Sequence, residues 1–301
     1  DRLNGQFSFA IYDTNERVLF LARDHVGITP LFFTEAGGSF IFASEIKAIL
    51  KHPAVRRSVD LTGLDQVFTF PGIVSPTTMF AGIQSLKPGH CITVRNGKVE
   101  IAEYWDLVYP REGERGEGHP ESFYVERLDE LLRQAVRYRL NADVPVGFYL
   151  SGGLDSSLIA AIINDARPEE QWHSFSIGFH QPDIDERKYQ RLIASQVRSI
   201  HHEILFDWPD IINRIKTAVY HAESPLKESY DTCSLALSEL VRSEGMKVVL
   251  TGEGSDELFG GYVGYRFDML QRDGLDEIDD AETQIEKEIR RSLFPTLWCC
   301  R

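Results

Sequence analysis

Val144-Pro145-Val146-Gly147-Phe148-Tyr149-Leu150 is a short apolar run that stops at Ser151-Gly152-Gly153. After Leu154-Asp155-Ser156 a second run follows, Ser157-Leu158-Ile159-Ala160-Ala161-Ile162-Ile163. A brief apolar stretch bounded by proline and glycine suits a buried strand, and the second run suits a helix packed behind it. Downstream the same pairing repeats. Residues 174–179, 203–206 and 247–251 read as strands, and 186–197, 208–220 and 232–244 as helices. Strands alternating with helices at this spacing predict an α/β fold with a parallel, doubly wound sheet. Ligands in such sheets lie at the carboxyl ends of the strands. A helical period formed by Val125, Leu128, Leu131, Leu132, Ala135 and Val136 precedes the first strand.

Residues 1–107 have a different texture. Apolar and aromatic runs at 6–12 and 17–22 flank the turn Asp13-Thr14-Asn15-Glu16, which predicts a hairpin. Runs at 90–94 and 98–101 flank Asn96-Gly97, a dipeptide suited to a type I′ turn because both residues tolerate positive φ. Short helices are expected over 44–50 and 61–68. Residues 108–120, rich in glycine, proline and charge, read as a linker to a second domain spanning 121–301.

Two strand ends carry loops with chemistry in them. In Ser151-Gly152-Gly153-Leu154-Asp155-Ser156-Ser157 the glycines let the backbone turn sharply and approach a ligand. The free N–H groups of the helix start favour a phosphate. Asp155 would oppose a bare phosphate but fits one bridged by Mg²⁺, which takes one or two carboxylates plus phosphate oxygens. The second loop is Thr251-Gly252-Glu253-Gly254-Ser255-Asp256-Glu257, followed by Leu258-Phe259-Gly260-Gly261-Tyr262. Glu253 between two glycines suits proton transfer or metal binding. The plain alternatives are an ordinary glycine turn, a solvated acid at Glu253 and an N-cap at Asp256. In a parallel sheet both loops face one crevice, where Asp155 and Asp256 are expected to share a Mg²⁺.

The SGGLDSS loop after a strand resembles the pyrophosphate loop of the N-type ATP pyrophosphatases, a motif shared by GMP, NAD and argininosuccinate synthetases. TGEGSDELFGGY is narrower. Together with Arg23-Asp24-His25-Val26-Gly27-Ile28-Thr29-Pro30-Leu31 and Ala43-Ser44-Glu45-Ile46-Lys47-Ala48, it is similar to the glutamine-hydrolysing asparagine synthetases of the bacterial B type, over residues 1 to about 267. The resemblance implies a sheet of the adenine nucleotide alpha-hydrolase type. Before it would stand a β-rich domain at 1–107, the later part of an N-terminal-nucleophile glutaminase. It implies ATP and Mg²⁺ as cofactors, and aspartate with glutamine or ammonia as substrates. Leu150, Ile177, Thr251 and Gly252 would contact adenosine. Ser151, Gly152, Gly153, Asp155 and Ser156 would hold the pyrophosphate, and Asp155 and Asp256 the metal. Glu253 would act in forming the β-aspartyl-AMP intermediate and in handling protons as ammonia attacks. Arg23 and Asp24 are expected to brace the interface between domains.

The chain departs from that family in three places. The family's glutaminase nucleophile is an amino-terminal cysteine, whereas this sequence opens at Asp1, and the family's glutamine-binding residues lie upstream. The lysine near an R-x-P-F-L-D motif has no counterpart here. The sequence reads as a fragment, expected not to hydrolyse glutamine and to complete amide synthesis poorly or not at all. The rival readings are a synthetase forming another amide or a β-lactam, and a nucleotide-binding pseudoenzyme.

Composition sets the outer bounds. The 301 residues give room for about two domains. Hydrophobic residues at 43% and charged residues at 26% are an ordinary globular balance. A net charge of −14 argues against nucleic acid or an anionic membrane as partner. No apolar run approaches the ~20 residues a membrane helix needs, and the first residues lack a signal-peptide layout. Cys91, Cys233, Cys299 and Cys300 fit neither a zinc spacing nor a disulfide framework, so a reducing cytoplasm is the expected location. A homodimer is compatible with these features. Adjacent His201 and His202 would point to opposite faces of a strand and so cannot easily share an ion. His25 is expected to be structural, and the acidic stretch 273–288 a solvated helix face or loop.

Overall fold

The computed structural model describes residues 3–70, 72–110, 118–262 and 265. The expectations for residues 273–288 and for Cys299 and Cys300 fall outside them. The chain divides into two compact units, Asp1–Tyr138 with Phe206–Glu239, and Arg139–Leu205 with Leu240–Arg301.

The first unit is built on two antiparallel sheets. β1 (Ser8–Asp13), β2 (Val18–Arg23), β6 (His90–Arg95) and β7 (Lys98–Glu103) form one in the order β1-β2-β6-β7. At the first turn Asp13 Oδ1 accepts from the N–H groups of Asn15 and Glu16. Between β6 and β7, Asn96 and Gly97 both take positive φ, 52° and 75°, as a type I′ turn requires. The second sheet joins β3 (Phe32–Ala36), β4 (Ser39–Ala43) and β5 (Gln84–Ser85) in the order β4-β3-β5. Leu21, Leu31, Phe33, Leu86 and Ile92 fuse into one buried cluster. The helices α1 (Ile46–Ile49) and α2 (Leu61–Thr69) stand near their expected positions, α2 capped by the Asp60 side chain accepting from Gly63 N–H. The long α3 (Glu121–Arg139) follows. Also here are α6 (Trp208–Ala222) and most of α7 (Tyr230–Ser243). α6 opens with a capping box between Asp207 and Asp210, which satisfies otherwise unpaired donors at both ends of the first turn.

The RDHVGITPL segment is braced within the first unit by Arg23 and Asp24. The Arg23 guanidinium donates to the carbonyls of Thr29 and Gly27, to Ser85 Oγ at 3.0 Å and to the Leu86 carbonyl. Asp24, 1% exposed, accepts from Ile28 N–H, Thr29 N–H and Thr29 Oγ1. Burial raises its pKa, but the hydrogen bonds from Thr29, Ile28 and Gly27 outweigh burial and hold it below the usual carboxylate range. His25 packs edge-on against Phe7, Tyr104 and Trp105, a structural role as expected.

The second unit carries the α/β sheet. β8 (Val146–Tyr149), β9 (His173–Phe179), β10 (Ile200–Phe206) and β11 (Val248–Leu250) lie in the order β10-β9-β8-β11. β8 pairs in parallel with both β9 and β11. The connections run through α4 (Leu154–Ala166) and α5 (Arg187–Gln196). Phe148, Leu150, Ile162, Ile163 and Phe175 are fully buried. A Cβ on Gly147 would meet Phe175 Cε2 at 2.8 Å, so the missing side chain at this position leaves room for the buried Phe175 ring. The chain moves outward from β8 through β9 to β10 and then returns to β8's other edge as β11. That reversal makes the gap between β8 and β11 a topological switch point, where ligands enter doubly wound sheets.

Candidate active site

Both glycine loops leave the sheet at that switch point. The first continues from β8. Leu150 is 1% exposed and its N–H donates to the Phe175 carbonyl, so the loop starts from a fixed point in the core. Gly152 takes φ +87°. A Cβ there would meet Tyr189 Cβ at 2.8 Å and the Gln190 backbone nitrogen at 3.1 Å. Glycine is thus required twice, for the left-handed backbone and for the approach of α5. Ser151 and Ser156 join hydroxyl to hydroxyl at 2.8 Å, and Gly153 N–H donates to Ser151 Oγ. The N-cap of α4 is Gly153, which has no side chain to cap with. Donors of the first turn are therefore left for a ligand.

The second loop continues from β11 into α8 (Ser255–Phe259), with Gly254 at φ +91°. A Cβ on Gly252 would meet Asp155 Cβ at 3.0 Å and the Ser156 nitrogen at 3.2 Å, so the two loops touch through this glycine. A Cβ on Gly261 would fall 1.9 Å from Asp256 Oδ1; the second glycine of the GGY triplet leaves room for that carboxylate. Tyr262 donates to Glu257 Oε1 at 2.9 Å, and this acceptor pushes its phenol pKa up to about 12.

One open crevice results. Ser151, Gly153, Asp155, Ser156, Thr251, Gly252, Glu253 and Asp256, all proposed from sequence, line it. Leu150, Gly152 and Ile177 are not on its lining: Leu150 is core, Gly152 faces α5, and the Ile177 carbonyl on β9 accepts from buried Gln190 Nε2 at 3.0 Å. Tyr149, Leu154, Gly254, Glu257 and Tyr262 complete the wall. The reading of single residues did not assign these. Glu257 and Tyr262 lie inside the quoted TGEGSDELFGGY stretch, but no local pattern signals that a tyrosine turns back on an acid five positions earlier.

Among the described residues no group of three or more His, Cys, Asp or Glu converges to hold a metal. Two carboxylates on one crevice, Asp155 and Asp256, are nevertheless a donor set that suits Mg²⁺. This ion keeps several waters and phosphate oxygens and takes few protein ligands.

The histidines of β9 and β10 serve the sheet. His201 reaches Ser174 Oγ and Ser176 Oγ at 2.8 and 3.0 Å, while His202 reaches His173 at 2.8 Å and stacks on it. Burial, reinforced by His202, lowers the pKa of His173; burial also lowers that of His201. The folded state therefore prefers both rings neutral. Above the unfolded pKa of about 6.5 their contribution is fully present, and it is lost as the pH falls below that value, because the unfolded chain takes up protons first. We expect the denaturant midpoint to drop between about pH 7.5 and 5.5, and His201→Gln to flatten the drop. A midpoint constant over that range would contradict the assignment.

The asparagine synthase family model matches residues 127–299, and the glutamine amidotransferase domain model matches residues 1–105. The glutamine-hydrolysing asparagine synthetase 3 of Bacillus subtilis is 34% identical over 278 residues, covering 87% of this chain and 44% of the relative. The amidase chyE of Penicillium rubens is 34% identical over 282 residues, covering 89% and 41%. Asparagine synthetase B of Escherichia coli is 30% identical over 290 residues, covering 87% and 44%. The chain spans about two-fifths of the length of these relatives. No helix among the described residues is long and apolar enough to cross a membrane.

Proposed function

The chain belongs to the asparagine synthase family, and from that premise we propose that its crevice activates a carboxylate with ATP for conversion to an amide. The carboxylate is the side chain of aspartate, the intermediate is β-aspartyl-AMP, and in the whole protein the ammonia comes from glutamine. The observation that carries this reading is the meeting of the two loops. Gly252 of one lies against Asp155 and Ser156 of the other at the sheet's switch point, and Asp155, Glu253 and Asp256 line the same crevice.

A carboxylate resists amidation because its oxygen leaves poorly. In the proposed reaction an aspartate oxygen attacks the α-phosphorus of ATP and pyrophosphate departs. Ammonia then attacks the acyl carbon, and AMP leaves with that oxygen. Ser151, Gly153, Asp155 and Ser156 orient the departing pyrophosphate, the fixed donors of this loop favouring the charge that builds there; Gly152 sets the turn that places them. Thr251 and Gly252, which line the crevice, frame the adenosine; Leu150 and Ile177, expected there from the sequence, stand behind the lining. Glu253 takes the proton that the attacking ammonia must lose. Asp155 and Asp256 would hold Mg²⁺, which when bound neutralises phosphate charge.

The presence of an amidase among the relatives favours one second reading, in which the same activation serves another acyl group. Pyrophosphate release separates the two. We expect release with aspartate to exceed that with other carboxylates at equal concentration. A preference for a different acid would support the second reading, and no release with any carboxylate would remove both.

A further inference from the structure

The Ala43–Ala48 motif takes no part in the crevice, yet it receives an unusual contact. Helix α1 begins just after Glu45, whose side chain forms no capping hydrogen bond. The cap comes from Glu223, 177 positions away: its carboxylate accepts from the N–H groups of Ile46, at 2.7 Å, and Lys47, and from Lys47 Nζ at 3.3 Å. The Glu223 side chain is 9% exposed, and Lys47 also lies over the Tyr220 ring. Lys227, four residues on, donates to the Phe70 carbonyl at the end of α2. Glu223 is also the C-cap of α6 in the left-handed conformation, φ 55°, where glycine or asparagine sits with less strain. A long acidic side chain is kept there against backbone preference.

The connection from α6 to α7 is thus pinned at two points to the β-rich part of its own unit. Along the chain it lies between β10 and β11, and β11 runs directly into Thr251–Glu257. Resting on the reading of the crevice as an ATP site, we propose that Glu223 is a positioning residue. It is a latch that couples nucleotide binding at the β11 loop to the N-terminal β-rich part.

Coupling of this kind is reciprocal. Amide hydrogen exchange at Ile46 and Lys47, followed with and without ATP and Mg²⁺, tests it on the chain as it stands. Saturating nucleotide is expected to slow both amides at least about fivefold. In Glu223→Asn, which suits the left-handed helix end but is too short to reach α1, the slowing disappears and ATP binds more weakly by a similar factor. Glu223→Gln, with one acceptor left, falls between. A simple structural cap would give the same exchange rates with and without nucleotide. If ATP raises the melting temperature but both amides exchange unchanged, or Glu223→Asn leaves ATP affinity unaltered, the latch is refuted. If ATP and Mg²⁺ give no melting shift at all, the crevice reading falls first and the latch with it.

Discussion

Replacing Gly152 by alanine is expected to destabilise the chain and to abolish nucleotide-dependent chemistry together. The φ of +87° places any L residue in strained territory, at about 1–2 kcal/mol. The new Cβ would meet Tyr189 Cβ at 2.8 Å and Gln190 N at 3.1 Å. These atoms sit on or next to the backbone of α5, so no side-chain rotation can clear them, and overpacking of this kind adds about 1–3 kcal/mol. A total of about 2–5 kcal/mol is expected in chemical denaturation. In the fraction that still folds, the loop must swing away from α5 and carry the donors of the α4 start with it. Misplacement near 1 Å costs about a hundredfold in rate, so pyrophosphate release should fall at least that far. Wild-type stability and turnover in Gly152→Ala would mean that the loop is not held as described.

Glu253→Gln should separate chemistry from binding. The residue is exposed on the crevice loop between Gly252 and Gly254, so an isosteric amide leaves packing alone and stability within about 0.5 kcal/mol. The amide cannot accept a proton. In the whole protein, amide formation from the acyl-adenylate should fall by about 10²–10⁴, while the melting shift given by ATP and Mg²⁺ stays at its wild-type size. Undiminished product formation would assign the proton to another group, and a lost melting shift would make Glu253 a binding residue.

Much of the architecture was readable because it depends on local rules. A four-residue strand between Pro145 and Gly152, a helix behind it and the same pairing twice more leave few alternatives to a parallel sheet. Asn96-Gly97 stated its turn type outright. The hairpin of β3 and β4, absent from the elements expected above, also has a local signal. Phe32–Ala36 and Ser39–Ala43 flank Gly37-Gly38, both at positive φ, and a two-glycine connection is a standard hairpin cue. Other features have no local signal. Arg23 reaches Ser85 Oγ, 62 positions away, and Glu223 caps a helix 177 positions upstream. Such pairings are made by the tertiary fold and carry no period or spacing. The crevice lies between these cases. Its glycines and acids stand out in the sequence, but the contact of Gly252 with Asp155, and the space that Gly261 leaves for Asp256, emerge only when β8 and β11 become neighbours.

The central claim is that these two loops hold one nucleotide. Crystals of the chain grown with a non-hydrolysable ATP analogue and Mg²⁺ test it most directly. The account predicts the β- and γ-phosphates over the backbone N–H groups at the start of α4, with the ion between Asp155 and Asp256. A nucleotide bound away from both loops, or a metal held by neither carboxylate, would contradict it.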